Sequence, residues 1–169
     1  MPLHHLFLGG ARSGKTALAL ASAEAVGPRR AYIATGQAFD DEMAARIAAH
    51  KAERGAGWRT VEAPLDPAGA IRAAVECDVV LVDCLTLWLS NLMHQKRDIA
   101  VEMEGLLAAL RAAPVPVLLV SNEVGLSIVP ENALARAFRD AQGRLNQAVA
   151  AAVPRVTFVA AGLPLSLKG

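Results

Sequence analysis

The residues that most restrict what this chain can become are Gly9-Gly10-Ala11-Arg12-Ser13-Gly14-Lys15-Thr16. They fit G-x-x-x-x-G-K-[ST], a phosphate-binding loop, or P-loop. A triphosphate is a dense anion, and glycines let backbone wrap it closely because they carry no Cβ and tolerate positive φ. The loop N–H groups then converge as a nest of donors. The spacing assigns Lys15 to the outer phosphates and the Thr16 hydroxyl to Mg²⁺. The setting agrees with the motif. Leu6-Phe7-Leu8 reads as a buried strand, and the Ala- and Leu-rich stretch after Thr16 reads as a helix whose positive N-terminal end faces the same anion.

Composition narrows the partners. With 169 residues, 54% of them hydrophobic, the chain is expected to form a single nucleotide-binding domain over 1–169 around one sizeable core. A net charge of +1, with no basic stripe, gives no support to nucleic-acid binding. No apolar run approaches the ~18 residues of a membrane span. The N-terminus lacks the charged and apolar regions of a secretory signal, so a cytoplasmic location is expected. Cys77 and Cys84 fit buried reduced thiols, and the four histidines make no zinc-binding pair on a helix.

Short, continuously apolar runs at 6–8, 31–34, 79–82, 115–120 and 156–160 alternate with helical stretches. That pattern predicts an α/β, three-layer P-loop NTPase fold, a mostly parallel sheet flanked by helices, with ligands beyond the C-terminal strand ends. Thr35-Gly36 follows the second run at that edge. Asp40 or Asp41 opens a helix to about Arg54, on which Met43, Ile47 and His50 share a stripe. By spacing alone, His50 is a boundary histidine. Residues 58–64 read as a short edge strand, 68–76 and 99–111 as helices, and 85–93 as a helix or apolar loop with Trp88 in the core. Val79-Val80-Leu81-Val82-Asp83 resembles a Walker B strand whose carboxylate holds Mg²⁺ beside the P-loop hydroxyl. Ser121-Asn122-Glu123 emerges at the same edge, where Glu123 is a general base, a metal contact, a substrate binder or only a capping carboxylate. A long helix, 131–153, carries Arg136, Arg139 and Arg144. The last strand runs to Gly162, and 163–168 closes the chain with no assigned element.

Several stretches together are more specific than the P-loop: GGARSGKT, YIATGQAFDDEMAARIAAHKAERGAGWRTVEAP, SNEVGLSIVPENALARAFRDAQGRLNQ and AAGLPLSLK. Over nearly the full length the chain resembles the bifunctional adenosylcobinamide kinase / adenosylcobinamide-phosphate guanylyltransferase family of cobalamin synthesis. The resemblance implies phosphorylation of adenosylcobinamide by ATP or GTP, then transfer of GMP from GTP through a covalent guanylyl-histidine. It makes His50, followed by Lys51, that nucleophile. It assigns nucleotide contacts to Gly9 through Thr16 (Gly9, Gly10, Ala11, Arg12, Ser13, Gly14, Lys15, Thr16), to Ala34, Thr35 and Gly36, to Lys51, Ala52, Glu53 and Arg54, and to Glu62 and Asp83. It also implies Mg²⁺, a homotrimer and a corrinoid groove between subunits. Two positions depart from relatives. Asp83 stands where some carry Glu, and Ala49 where some carry a second histidine.

The residues themselves support only Mg²⁺–nucleotide phosphoryl chemistry. A single-activity P-loop kinase for another small alcohol has no use for a reactive His50. A nucleotide-dependent switch predicts tight binding with negligible turnover, and the N-K-x-D base-reading motif of guanine switches is absent.

Overall fold

The computed structural model describes residues 2–38 and 40–169, apart from the side chains of Arg46, His50 and Glu53. Its strands are β1 (His5–Gly9), β2 (Arg30–Ala34), β3 (Trp58–Glu62), β4 (Val79–Asp83), β5 (Val117–Asn122), β6 (Arg155–Ala160) and β7 (Leu163–Lys168). Its helices are α1 (Lys15–Glu24), α2 (Asp41–Glu53), α3 (Pro67–Ala73), α4 (Leu85–His94), α5 (Ile99–Ala112) and α6 (Ala133–Ala152). One sheet runs in the order β3-β2-β4-β5-β1-β6-β7, parallel throughout except for β7 against β6.

The central strands are apolar on both faces, as the unbroken runs require. Val80, Val82, Val117 and Leu119 pack on one side with residues of α3, α4, α5 and α6. Val79, Leu81, Leu118 and Val120 pack on the other with Ala19 and Ala23 of α1. Alternate residues of a strand point to opposite faces, so each strand is driven inward from both sides. Fully burying one such side chain is worth roughly 1.5–3 kcal/mol. Trp88 is 1% exposed, and its indole N–H donates to the Leu65 carbonyl at 3.1 Å, so α4 is a core helix rather than a loop.

Capping side chains fix where the helices start. Asp40 accepts from the Met43 N–H at 2.7 Å and begins α2. Asn132 accepts from the Leu134 and Ala135 N–H groups, which starts α6 two residues later than its pattern suggests. The chain end differs from expectation. Residues 163–168 form β7, joined to β6 by Ala161 and Gly162, both at positive φ (52° and 76°). A two-residue turn of that kind matches the twist of the strands it connects. Alternation of leucine with other residues in LPLSLK is the signal for this strand, and it lies on the sheet edge with every residue exposed.

Candidate active site

Parallel pairing brings the polar ends of the strands to one edge of the sheet. Gly9 is opposite Asn122, Ala34 is opposite both Asp83 and Glu62, and Asp83 is opposite Val120. The P-loop leaves β1 at that edge. Gly14 has φ 93°, and a Cβ there would stand 3.1 Å from the Gly162 Cα, so glycine is needed both for the turn and for the approach. The Gly162 N–H donates to the Ser13 carbonyl at 2.8 Å, so the β6–β7 turn braces the loop from behind.

A cleft of about 1120 Å³ opens above this edge. Its floor is the P-loop from Ala11 to Thr16, together with Asp83, Cys84 and Asn122. Its wall is Met43, Ile47, Lys51 and Arg54 of α2 and its C-terminal end, facing Gly36, Leu87 and Glu62. The Lys15 ammonium donates to the Gly10 carbonyl at 2.9 Å. Burial pushes its pKa down while Cys84 and Asp83 oppose the shift. Tyr32 donates its phenol to Asp83 Oδ2 at 2.7 Å, and burial together with that carboxylate holds the phenol protonated, well above its ordinary range. The Arg54 guanidinium carbon lies 3.5 Å over the Tyr32 ring. Arg54 is only 8% exposed; its Nη2 reaches Thr60 Oγ1 at 3.4 Å, and among the described residues its Nε has no hydrogen-bond partner. A buried cation so poorly paired is costly, and it lines a cleft whose opposite side is built for anions.

Most of the residues expected at the site are gathered in this cleft: Ala11, Arg12, Ser13, Gly14, Lys15, Thr16, Ala34, Gly36, Lys51, Arg54, Glu62 and Asp83. Gly9, Gly10, Thr35, Ala52 and Glu123 do not line it. Thr35 is fully buried, donating its hydroxyl to the Cys84 carbonyl and accepting from the Cys84 N–H, which ties β2 to β4. Gly9 gives its carbonyl to the Glu123 N–H, and a Cβ there would strike Ser13 Oγ and the Val159 carbonyl at 2.5 Å. The Glu123 carboxylate accepts from the Gly125 N–H at 2.5 Å. The side chains of His50 and Glu53 lie outside the described residues. The flanking positions are informative. Met43, Ile47, Lys51 and Arg54 stand at i−7, i−3, i+1 and i+4 from His50, the spacing of one helical face, and all four line the cleft.

Sequence reading gave no role to Tyr32, Leu87, Asn91 or Asn122. Asn91 of α4 donates to the carbonyls of Thr35 and Pro64 at 2.8 and 2.9 Å, clamping the loops that follow β2 and β3. Cys84 also lines the cleft, but burial and the Asp83 charge push its thiol up to about 11, so it is no nucleophile near neutral pH. Among the described residues no three or more His, Cys, Asp or Glu side chains gather as a metal cluster, and no helix is long and apolar enough to cross a membrane.

A family model described as cobinamide kinase / cobinamide phosphate guanyltransferase matches residues 5–167. The bifunctional adenosylcobalamin biosynthesis protein CobP of Pseudomonas aeruginosa is 49% identical, over 99% of this chain and 98% of that one. The bifunctional adenosylcobalamin biosynthesis protein CobU of Salmonella typhimurium is 43% identical, over 96% of this chain and 98% of its own length. Among solved structures, the flagellar accessory protein FlaH from Methanocaldococcus jannaschii superposes with a TM-score of 0.55, covering 98% of this chain and 78% of that one. At 12% identity this is a likeness of fold alone.

Proposed function

The chain belongs to the cobinamide kinase / cobinamide phosphate guanyltransferase family, and from that premise we propose how its own cleft divides the two reactions. The P-loop serves both. In the kinase step the outer phosphates of ATP or GTP lie in the loop, where Lys15 and the backbone N–H groups offset the charge that develops as the γ-phosphoryl group moves to the cobinamide hydroxyl. In the transfer step GTP lies in the same cleft, and the His50 imidazole, in its neutral form, attacks the α-phosphorus. Pyrophosphate leaves toward Lys15, and the guanylyl group then passes to the phosphate of cobinamide phosphate. Arg54 and Lys51, one turn and one residue beyond His50, supply positive charge to the phosphate being transferred.

The observation that carries this reading is the α2 face. Residues on both sides of His50 line the same cleft as the P-loop, so one bound nucleotide spans Lys15 and the helix that holds the histidine. Mg²⁺ is part of the proposal. Thr16 and Asp83 offer hard oxygen donors in this cleft, a set that suits an ion keeping most of its coordination sphere for phosphate and water. Bound there, it supplies charge neutralisation on the phosphates. We further propose a single nucleotide-binding domain, a cytoplasmic site of action and a homotrimer. The exposed edge strand β7, with Leu163, Leu165 and Leu167 each more than half exposed, supports self-association, and sedimentation velocity distinguishes trimer from monomer.

The test uses GTP radiolabelled at the α-phosphate, with Mg²⁺ and no corrinoid. Label is expected on the denatured protein through an acid-labile, base-stable bond, and not on His50→Ala. Label retained by His50→Ala would place the nucleophile elsewhere.

A further inference from the structure

Asn122 ends β5, the strand lying between the P-loop strand β1 and the Asp83 strand β4, and it lines the cleft. Its main chain is fixed from several directions. The Asn122 N–H donates to Thr86 Oγ1 at 2.8 Å, which ties it to the start of α4 just after Asp83. Its carbonyl accepts from Asn146 Nδ2 at 3.1 Å. The next N–H, of Glu123, donates to the Gly9 carbonyl at 3.1 Å, which locks it to the root of the P-loop.

Asn146 is itself set by a buried cluster: its Oδ1 accepts from Ser121 Oγ at 2.7 Å and from Gln142 Nε2 at 3.0 Å. This cluster is poorly optimised for stability, because among the described residues Gln142 Oε1 has no partner. A half-satisfied buried network is worse than apolar packing of the same volume. What it does accomplish is to hold one strand end rigidly at the nucleotide cleft. By contrast, no hydrogen bond from a described residue is assigned to the Asn122 carboxamide.

We infer that the Asn122 side-chain amide is a catalytic contact to the γ-phosphoryl group, serving the kinase step far more than guanylyl transfer. This rests on the two-step reading above. In the kinase step the cobinamide hydroxyl oxygen forms the new P–O bond with its own electron pair. The β–γ bridging bond breaks with its pair to the departing nucleoside diphosphate, and the hydroxyl proton is released to water. Charge on the γ-phosphoryl oxygens is then at its most sensitive to a fixed donor. In guanylyl transfer, on that reading, the reacting phosphorus is the α one, served by the helix α2 that carries His50. The γ-phosphate is there only the far end of the leaving pyrophosphate.

The experiment compares the two reactions in full-length Asn122→Ala and Asn122→Asp. Kinase turnover is measured with ATP, Mg²⁺ and cobinamide, and guanylylation with α-labelled GTP and Mg²⁺ but no corrinoid in a single turnover. For Asn122→Ala, the kinase kcat is expected to fall about 10²-fold, the loss typical of one transition-state donor, with KM little changed. Its guanylylation rate is expected to stay within about threefold, since an interaction made at the γ-phosphoryl is absent from that transition state. Asn122→Asp keeps the shape but presents a carboxylate, and is expected to lose kinase activity at least as severely. Equal losses in the two reactions, which a structural role predicts, would overturn the assignment. So would a defect confined to KM, or kinase activity retained by the Asp variant. Wild type that guanylylates itself but lacks kinase turnover would instead refute the two-step reading on which the assignment stands.

Discussion

Tyr32 links the two halves of the cleft. Its phenol orients Asp83, and its ring carries the Arg54 guanidinium. Replacing it by Phe removes the first link and keeps the second, because the aromatic face remains. A hydrogen bond to a charged group contributes about 1.5–3 kcal/mol. Tyr32→Phe is therefore expected to raise the Mg²⁺ concentration for half-maximal GTP binding by roughly tenfold, with metal-free nucleotide binding little changed. Calorimetric titration of GTP at several Mg²⁺ concentrations reads this directly, and superimposable curves would remove Tyr32 from any metal role. The residue is also instructive about what sequence discloses. Lys15, Thr16 and Asp83 are legible because the P-loop is contiguous and the Walker B carboxylate ends a recognisable apolar run. Tyr32 and Asn122 are not, because each draws its role from neighbours on other strands: Asp83 is 51 positions from Tyr32, and Asn146 is 24 from Asn122. Thr35 and Glu123 show the same limit. A polar residue at a strand's C-terminal end serves a ligand or the fold, and only its partner decides which.

At the scale of elements, the apolar runs and helical periods mark all five inner strands and most of the helices, because burial on both faces leaves continuous hydrophobic stretches. β7 escapes that reading since it buries nothing; its mark is the leucine alternation of LPLSLK, and pairing with β6 holds it in the sheet. The helices also contain two glycines without a function in view. Gly105 in α5 and Gly143 in α6 sit mid-helix, and a Cβ built at either meets nothing within 4 Å. Glycine in a helix interior costs about 1 kcal/mol relative to alanine. Gly105→Ala and Gly143→Ala are each expected to raise Tm by about 2–4 °C in a chain of this size, with both activities unchanged. Gly14→Ala is the contrast, since its positive φ and the 3.1 Å approach to Gly162 are both violated. A scanning calorimetry series that ranked the three alike would show that local space and φ do not govern these sites.

For the molecule as a whole, the end of the sheet opposite the cleft carries a pH-dependent element of stability. His4 and His5 enter β1 there, 8% and 6% exposed. His4 Nδ1 accepts from the Val117 N–H at 3.1 Å, a bond that requires that nitrogen to be unprotonated. Burial lowers the His4 pKa, opposed by a hydrogen bond to the Leu110 backbone. Burial, reinforced by the Arg155 charge, lowers His5 to about 4, and its Nε2 lies 2.8 Å from Thr157 Oγ1. In the unfolded chain both titrate near the ordinary value of about 6.5. The sign follows from which state binds the proton: between those two pKa values the unfolded chain is protonated and the folded one is not. The stabilisation contributed by His5 is thus complete above pH 6.5 and is lost as pH falls toward 4, and His4 adds to the loss in the same direction. A one-unit pKa difference is worth about 1.4 kcal/mol, so His5 alone accounts for a loss on the order of 3 kcal/mol across that window. Urea unfolding followed from pH 7.5 to 4.5 is expected to show a falling midpoint in wild type. His5→Gln, which keeps a polar partner for Thr157 but cannot titrate, is expected to be less stable at pH 7.5 yet to show a shallower decline. Parallel declines for the two proteins would mean that the acid sensitivity arises from carboxylates and not from the buried histidines at the root of β1.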